Sequence, residues 1–447
     1  MRTMTAGQDD GAAWEHLKHP GAALTGTRHR DELAQRFAAV TELRPELGRH
    51  VGAGGRDLPV YRWVPYKEAY SPALVHAVLN HLGLTNGTLY DPFCGAGTSL
   101  LVAAERGLSA VGVERLPYAA YAAQTTLAAH RSDRARLLDT ANAVLTYRGR
   151  PRPPSLDVPA AAWAFSPEVW GALARLTCGL MSIEPAIEAE LLRLALLTTV
   201  ESASYAVKDG TSVRHRPPGG RPGRRGVERT EADVRTLFVD RVHRIADDLP
   251  HAPDGRNCRV VLGDARTFHA ASAFDVAVFS PPYPNRYDYA AIYQLELGVG
   301  AFCHDREELR SLRRDLLRSH LESPWPAERR VAVPALDEFL AEMYARRRTG
   351  DTSGRVLRMV AGYFEDMARV LVNLQMSLRP GAVAALTVGT QAFNGEMLPT
   401  DAVLAAIGEE VGLTTKAVWV ARVKGVAAQQ RRYAIGGTRE CVLLLSN

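Results

Sequence analysis

A glycine-containing turn between a short apolar strand and a helix restricts the fold more than any other feature of this sequence. Thr88-Leu89-Tyr90 predicts a buried strand, the turn DPFCGAGTS follows from Asp91, and LLVAAERG predicts a helix that Gly107 closes. The next apolar segment, Ser109 to Glu114, predicts a second buried strand that ends in an acid. This order of strand, turn, helix and strand predicts a βαβ unit with parallel strands.

The same alternation resumes after a long interruption. Arg259 to Asp264 and Phe274 to Tyr283 predict two more strands, and a long helix near Val356 to Leu378 precedes a strand at Ala382 to Gly389. The last segments, TTKAVWVARV and TRECVLLL, predict two strands that close the sheet as an antiparallel pair. The predicted fold class is therefore α/β, a doubly wound Rossmann-like sheet with an antiparallel terminal strand pair and a largely helical insertion.

Composition fits a globular protein with ample material for a core. Of 447 residues, 46% are hydrophobic and 23% are charged, which excludes a wholly disordered chain. The five cysteines form no CxxC pair, so neither a zinc ribbon nor a disulfide framework is expected. Asp9, Asp10 and Glu15 interrupt any apolar run near the N-terminus, and the most apolar stretch, Leu191 to Val200, is far shorter than the ~20 residues that span a bilayer. We therefore expect a cytoplasmic protein with no membrane partner.

The turn DPFCGAGT has features of a nucleotide-binding loop. Gly95 and Gly97 allow the backbone to approach a ligand closely, and the helix that follows presents its N-terminus. The lysine of a P-loop ATPase is missing from this turn, and Leu100 stands where a G-x-G-x-x-G motif has its third glycine. Taken alone, the turn fits either a nucleotide site or an ordinary tight connection between a strand and a helix.

Two acids at strand ends favour the nucleotide site. Glu114 follows Asp91 at close to the offset, about 20 residues, at which an acid binds a ribose diol. A second acid, Asp264, ends the third strand of the series. Acids at strand ends are also common on protein surfaces, so the pair by itself leaves both interpretations open.

Ser280-Pro281-Pro282-Tyr283 at the end of the fourth strand is the most specific signal. Two consecutive prolines cannot donate hydrogen bonds to a neighbouring strand, so the strand has to end there. A serine hydroxyl, a proline carbonyl and an aromatic ring then meet at the carboxyl edge of the sheet, a set that suits a planar aromatic amine. A strand terminator with a core tyrosine explains the motif in isolation, but not its register with the glycine turn and the two acids.

DPFCGAGT followed by SPPY resembles the class I S-adenosylmethionine-dependent amino-methyltransferases, which modify exocyclic amines of nucleic-acid bases. The SPPY form is most similar to N4-cytosine DNA methyltransferases, since the N6-adenine enzymes more often have Asp or Asn at the position of Ser280. The segment YKEAYSPALV resembles the part of the family that cradles the methionine end of the cofactor. The resemblance covers Tyr61 to His130, Asn257 to Gly300 and Glu365 to Asn447.

The resemblance implies a cofactor, S-adenosylmethionine, and a role for individual residues. The residues that would bind the cofactor are Tyr70, Ser71, Asp91, Pro92, Phe93, Gly95, Gly97, Thr98, Glu114 and Asp264. The residues that would bind the target amine and its base are Ser280, Pro281, Pro282 and Tyr283. Within these sets, Glu114 would take the ribose hydroxyls, Asp264 the adenine amine, and Tyr283 would stack on the target base.

The implied chemistry needs neither a metal nor a covalent enzyme intermediate. Hydrogen bonds from the amine to Ser280 and to the Pro281 carbonyl would favour a more tetrahedral nitrogen, which attacks the sulfonium methyl in line. A cytosine-C5 enzyme would instead need a thiolate beside the base, with proline-cysteine where SPPY stands. Cys94 lies in the cofactor turn, and we expect it to be a small buried side chain.

Nucleic-acid contacts are predicted for a basic loop and for the residues after SPPY. Lys208 to Arg229 holds seven basic and two acidic residues, and such a segment can neutralise phosphates, although its Gly and Pro content also fits a solvated loop. Arg286 is expected to contact a phosphate and Tyr287 to wedge or stack a base, whereas Tyr289 and Tyr293 are expected to begin a packed helix. The predicted nucleic-acid-binding residues are Arg214, Arg216, Arg221, Arg224, Arg225, Arg286 and Tyr287.

One catalytic domain with insertions explains the length of the chain better than a row of independent domains. The methyltransferase domain is predicted to comprise residues 61–130, 257–300 and 365–447. Residues 1–60 form an N-terminal extension, residues 131–256 a helical insertion with the basic loop for target recognition, and residues 301–364 a second helical insertion.

The predicted function is methyl transfer from S-adenosylmethionine to an exocyclic amine of a DNA base, with N4 of cytosine as the first choice. An N6-adenine DNA methyltransferase and an RNA base amino-methyltransferase are the alternatives among enzymes of this type. A small-molecule N-methyltransferase ranks below them because the basic loop argues against it, and a non-catalytic nucleic-acid-binding module is the alternative of another class. A DNA-modifying enzyme of this kind is compatible with a restriction or defence partner protein.

Overall fold

The computed structural model describes residues 27–52, 54–55, 57–67, 69–150, 157–209, 212–217, 226–346, 353–425 and 437–447. The chain divides into two compact units. The first unit comprises Met1–Gly52, Asp264–Tyr287 and Leu317–Asn447, and the second comprises Ala53–Gly263 and Asp288–Leu316. Within the described ranges, none of the helices has both the length and the apolar character needed to cross a membrane.

Most strands of the described residues lie in three stretches of the chain, within residues 88–114, 258–279 and 378–446. The strands of the described residues are β1 (Thr41–Leu43), β2 (Thr88–Asp91), β3 (Ser109–Glu114), β4 (Ala206–Asp209), β5 (Ser212–His215), β6 (Cys258–Leu262), β7 (Phe274–Phe279), β8 (Leu378–Gly389), β9 (Gln391–Phe393), β10 (Glu396–Leu398), β11 (Thr414–Lys424) and β12 (Thr438–Ser446).

The helices are longest in the segments that separate the predicted motifs. Those of the described residues are α1 (Arg28–Arg36), α2 (Pro72–His81), α3 (Thr98–Glu105), α4 (Pro117–Ala128), α5 (Arg134–Leu145), α6 (Ala161–Ala164), α7 (Pro167–Met181), α8 (Ile187–Ala203), α9 (Glu231–Asp248), α10 (Tyr289–Ile292), α11 (Gln294–Val299), α12 (Arg306–Asp315), α13 (Pro334–Ala345), α14 (Ser353–Ser377) and α15 (Thr400–Glu410).

The second unit contains the βαβ element predicted from the glycine turn. Strand β3 pairs in parallel with β2 on one side and with β6 on the other. Helix α3 connects β2 to β3, and β3 has the predicted bounds, Ser109–Glu114. Helix α2 begins at Pro72, where the Ser71 side chain accepts a hydrogen bond from the backbone N–H of Ala73 at 3.3 Å and the proline occupies the first turn. The turn and the cofactor segment before it therefore lie on regular elements.

Four long helices of the second unit, α5, α7, α8 and α9, pack on one another. The most apolar stretch of the sequence, Leu191 to Val200, forms the middle of α8, and Leu192, Leu194 and Leu197 within it are fully buried. A helix that is apolar on nearly every side is typical of the interior of a bundle. This stretch is therefore the core of the helical part of the unit.

The first unit contains the strand that leads to SPPY. Strand β7 pairs in parallel with β8, and β12 lies between β8 and β11 and is antiparallel to both. The predicted antiparallel pair at the end of the chain is therefore confirmed. With parallel strands, connecting helices and this closing pair, the predicted Rossmann-like α/β fold is confirmed as well.

The predicted basic loop begins as a hairpin rather than as a loop, which corrects the sequence-based prediction. Strands β4 and β5 pair antiparallel, with Lys208 opposite Val213. The Lys208 side chain is only 6% exposed and pairs with Glu296 and, at 3.4 Å, with Glu201. A buried ammonium needs such carboxylate partners. Lys208 thus anchors the hairpin and is not available to a phosphate.

Candidate active site

The turn after β2 has a backbone conformation that requires glycine at two positions. Gly95 has φ 52° and Gly97 has φ 91°, both in the left-handed region. A Cβ on Gly95 would lie 3.1 Å from Cε1 of the Tyr66 ring, and a Cβ on Gly97 would lie 3.0 Å from Cβ of Ala123. Backbone conformation and limited space therefore both exclude side chains at these two positions.

Asp91, the first residue of the motif, forms hydrogen bonds with the turn and with the segments beside it. Its carboxylate is fully buried and accepts hydrogen bonds from the backbone N–H of Phe93 at 2.9 Å, from the Tyr70 hydroxyl at 2.9 Å and from the Ser99 hydroxyl. Burial raises the pKa of Asp91 to about 6, and these hydrogen bonds oppose the rise. Ser99 was missed in the sequence analysis, although it directly follows Thr98 of the motif.

Glu114, at the end of β3, lies against the same turn. One carboxylate oxygen accepts from the backbone N–H of Gly95 at 2.8 Å, and the other accepts from the backbone N–H of Leu116 at 2.7 Å. Burial raises the pKa of Glu114 to about 7, against the effect of both hydrogen bonds. The acid predicted to bind the ribose is therefore fixed beside the glycine turn and titrates near neutral pH.

A pocket opens beside the turn and the start of α3. Tyr66 lines it, and its ring stacks on that of Tyr293, with centroids 5.1 Å apart and an interplanar angle of 4°. The full lining consists of Gly54, Val60, Tyr61, Val64, Pro65, Tyr66, Ala69, Ala96, Thr98, Leu101 and Thr126. This mixture of aromatic and small residues, with Thr98 at a helix N-terminus, suits an organic ligand that carries polar groups. Tyr66 belongs to the pocket although the sequence analysis did not single it out.

The other residues predicted for the cofactor are partly buried in the fold. Ser71 is 5% exposed, and a Cβ on Gly54 would lie 2.7 Å from the Ser71 Cβ, so the two segments are in close contact. Pro92 is buried and Phe93 is half-buried. Their contact with a cofactor remains a prediction.

Cys94 is the small buried side chain that the sequence predicts. It is 5% exposed, and a Cβ on Gly112 of β3 would lie 2.7 Å from its Sγ. Burial raises the pKa of the Cys94 thiol well above its usual value, so the thiolate needed for nucleophilic attack is disfavoured.

SPPY directly follows the last residue of β7, Phe279, in the first unit. Ser280 and Tyr283 are half-buried, and Pro281 between them is buried. Tyr283 lies against the carboxyl end of β8, where a Cβ on Gly389 would lie 3.2 Å from Cε2 of the ring. The chain therefore leaves the strand at the predicted residue, and Gly389 provides space for the ring of Tyr283.

Asp264 is held by a guanidinium within the first unit. Arg266 donates to its carboxylate at 2.7 Å through Nη2 and contacts Asp366 of α14 at 3.1 Å through Nη1. Asp366 is fully buried and also binds the Arg318 guanidinium at 2.6 Å. The contact of Asp264 with adenine remains a prediction. The fold brings together Arg266 and Asp366, which lie 100 positions apart and which the sequence alone did not indicate.

The residues predicted to bind nucleic acid occupy different surroundings. Arg214 is exposed on β5 and Arg216 is half-buried just after it, whereas Tyr287 is only 5% exposed. The Arg286 guanidinium lies 5.4 Å from the centroid of the Phe393 ring, and the residue has φ 76°. Arg221, Arg224 and Arg225 lie outside the described residues.

Of the two tyrosines expected to begin a packed helix, Tyr293 is 1% exposed and follows α10 directly. Its hydroxyl accepts a hydrogen bond from the backbone N–H of Lys67 at 2.7 Å, and its ring contacts Tyr66 and Tyr118. Tyr289 is the first residue of α10. The prediction that these rings belong to packed helical structure is confirmed.

Comparison with known proteins finds no matching family model. The chain is 27% identical over 446 residues to the Type II methyltransferase M.AvaI from Nostoc sp., covering 90% of both chains, and equally similar to M.AvaI from Anabaena variabilis. It is 24% identical over 427 residues to the Type II methyltransferase M.BsoBI from Geobacillus stearothermophilus, covering 84% of this chain and 83% of the relative. The similarity thus extends well beyond the short motifs.

Among solved structures, the chain matches the rRNA methyltransferase aviRa from Streptomyces viridochromogenes with 13% identity and a TM-score of 0.30, covering 85% of this chain and 87% of that one. It also matches a putative sarcosine dimethylglycine methyltransferase from Galdieria sulphuraria with 8% identity and a TM-score of 0.30, covering 84% of each chain. These structures differ too much from this chain to indicate a substrate. The relatives in sequence confirm the resemblance, predicted from DPFCGAGT and SPPY, to the class I DNA methyltransferases.

Proposed function

We propose that this protein transfers a methyl group from S-adenosylmethionine to an exocyclic amine of a DNA base, with N4 of cytosine as the preferred target. The observation that carries the proposal is SPPY at the carboxyl end of β7, a parallel strand. Ligands of open α/β sheets bind at the carboxyl ends of such strands. The Type II names of the relatives support DNA as the substrate and a restriction or defence setting.

Ser280 and Pro281 would hold the target amine through its two N–H groups. The serine hydroxyl accepts one hydrogen bond and the carbonyl of Pro281 accepts the other, which draws the nitrogen lone pair out of conjugation with the ring. Tyr283 would stack on the base and hold it in the orientation for attack. The contribution of these groups is mainly positioning, which can supply several orders of magnitude in rate.

The glycine turn of the second unit fits S-adenosylmethionine. The glycine turn and the N-terminus of α3 suit the methionine carboxylate, and Glu114 suits the ribose hydroxyls. When bound, the cofactor supplies an electrophilic methyl group on a sulfonium. The neighbouring pocket, with Tyr66 and Thr98 in its wall, provides further surface for the ligand.

The proposal is tested by mass spectrometry of nucleosides from digested DNA and RNA of cells that express the protein. We expect N4-methylcytosine in DNA, absent from cells that express the Ser280→Ala variant at the same level. Detection of N6-methyladenine in DNA would show that the target base is adenine and not cytosine. A methylated base found only in RNA would show that the substrate is RNA and not DNA. If neither nucleic acid gains a methylated base, the proposed function is wrong.

We expect the affinity for S-adenosylmethionine to fall as the pH drops through about 7, because Glu114 has a pKa of about 7 and binds the ribose as a carboxylate. The stability of the ligand-free fold has the opposite pH dependence. The raised pKa of Glu114 stabilises the fold at low pH, and this stabilisation is lost as the pH rises through about 7. Calorimetric Kd values should increase about tenfold from about pH 8 to about pH 6. A Glu114→Gln variant should bind more weakly at high pH and lose most of this dependence. An unchanged pH dependence in the variant would contradict the role of Glu114.

Gly389→Ala should slow methyl transfer without weakening cofactor binding. The new Cβ would lie 3.2 Å from the Tyr283 ring, so the ring has to shift by a few tenths of an ångström from its stacking position. We expect methyl transfer to fall by about tenfold, because small displacements of positioning groups are costly. Gly354→Ala is the matched control, since no atom lies within 4 Å of its Cβ position. Equal rates for the two variants would mean that Gly389 does not set the position of Tyr283.

A further inference from the structure

A strained turn at Val60 begins a segment that lines the pocket beside the glycine turn. Val60 has φ 69° and ψ −51°, and the backbone N–H of Tyr61 donates to the carbonyl of Pro59 at 2.8 Å. This is a γ-turn of the rare kind with positive φ at its centre. A β-branched residue in that region is a conformational outlier, and Val60 is buried, with 2% of its surface exposed. Such strain persists only where the surroundings enforce it.

The side chain that enforces this turn is Asp248, the last residue of α9. Its Oδ2 accepts the backbone N–H of Val60 at 3.0 Å and the indole N–H of Trp63 at 2.9 Å, and its Oδ1 accepts from the Arg62 guanidinium at 2.6 Å. The residue is 2% exposed. Burial alone would raise the pKa of Asp248, but hydrogen bonds from Arg62, Val60 and Trp63 outweigh it and hold the pKa below its usual value. The carboxylate therefore stays charged and fully engaged with this one segment.

The segment held by Asp248 continues directly into the pocket. Val60, Tyr61, Val64, Pro65 and Tyr66 line the pocket together with Ala96 and Thr98 of the glycine turn. Tyr66 is also the residue that limits the space beside Gly95. A change in the direction of the chain at Val60 would therefore move the wall of the pocket that faces the turn.

We propose that Asp248 is a positioning residue of the cofactor site, which holds Val60 in its strained turn and thereby sets the wall of the pocket. Helix α9 lies far along the chain from Val60, in the segment predicted to recognise the target. The inference rests on the proposed function only in taking S-adenosylmethionine as the ligand of the pocket.

The first test is the affinity of the purified full-length variant Asp248→Asn for S-adenosylmethionine. The amide keeps the size of the side chain but loses one acceptor oxygen and the charge, so the turn relaxes in a fraction of molecules. We expect Kd to increase about tenfold. Asp247→Asn is the matched control, because the neighbouring Asp247 is exposed and its carboxylate pairs with the exposed Arg134 at 3.2 Å. Its Kd should stay within about twofold of the wild type.

The second test distinguishes an effect of the Val60 turn on cofactor binding from an effect of Asp248 on the overall stability of the fold. Glycine adopts positive φ at little cost, whereas alanine does not, although both lack the two branch methyl groups of valine. In the Asp248→Asn background, Val60→Gly should recover at least about threefold in affinity, and Val60→Ala should recover none. If Asp248 only stabilised the protein, the two substitutions would have the same effect. Equal Kd values for the two double variants would therefore overturn the proposal.

A milder variant keeps the test valid if Asp248→Asn unfolds. Trp63→Phe retains an aromatic ring but removes the indole N–H that donates to Asp248, and we expect binding about threefold weaker with a folded circular-dichroism spectrum. If wild type binds S-adenosylmethionine and both Asp248→Asn and Trp63→Phe bind it equally well, the positioning role is wrong. If the wild type itself does not bind S-adenosylmethionine, the proposed function fails instead. The two failures are therefore distinguishable.

Discussion

Replacing Ser280 with alanine is expected to lower the rate of methyl transfer by about 100-fold or more, while the affinity for S-adenosylmethionine changes by less than about twofold. The serine directly follows the last residue of β7, and its hydroxyl is one of two acceptors proposed for the target amine. Its loss leaves one N–H of the amine without a partner and the lone pair in conjugation with the ring. Single-turnover methylation of a DNA substrate, with calorimetric cofactor binding alongside, measures both quantities.

Two further variants make this result specific. Ser280→Asn keeps a side-chain acceptor, so we expect it to retain more activity than Ser280→Ala. Tyr283→Phe keeps the stacking ring and should remain active, whereas Tyr283→Ala should lose about 1–3 kcal/mol of stacking on the base. Normal methylation by both Ser280→Ala and Tyr283→Ala would exclude the proposed assignment of the active site.

The elements around the motifs could be predicted because their signals are local. The bounds of β3 follow from one apolar run between Gly107 and Glu114, and the start of α2 follows from Ser71 and Pro72. The antiparallel pair β11 and β12 follows in the same way from two apolar segments at the end of the chain. Each of these elements is determined by residues next to one another in the sequence.

The contacts that could not be predicted from the sequence join residues that are far apart in the chain. The hairpin of β4 and β5 was predicted as a loop because Gly and Pro dominate the segment, yet Lys208 pairs with Glu296 of α11 and fixes it. Asp248 and Val60 are 188 positions apart, and nothing in either neighbourhood indicates their hydrogen bond. The glycine turn is thus predictable from its sequence, whereas contacts between distant residues, such as that of Asp248 with Val60, are not.

Gly97→Asp is expected to abolish binding of S-adenosylmethionine, with a Kd at least about 100-fold above that of the wild type. Gly97 has φ 91°, and its Cβ position lies 3.0 Å from the Cβ of the fully buried Ala123. An aspartate there meets strain and a clash at once, so the turn has to move away from the ligand. The measurement is equilibrium binding of labelled cofactor, together with thermal unfolding at several cofactor concentrations.

Gly107→Asp distinguishes loss of the cofactor site from loss of the fold. Gly107 ends α3 with φ 70°, so aspartate meets similar backbone strain, worth about 1 kcal/mol, but no atom lies within 4 Å of its Cβ position. We expect Gly107→Asp to bind the cofactor like the wild type and to be stabilised by it, because a ligand that binds only the native state raises Tm. Gly97→Asp should show a cooperative transition that the cofactor does not shift. If the cofactor raised the Tm of both variants equally, the turn at Gly97 would not be part of its site.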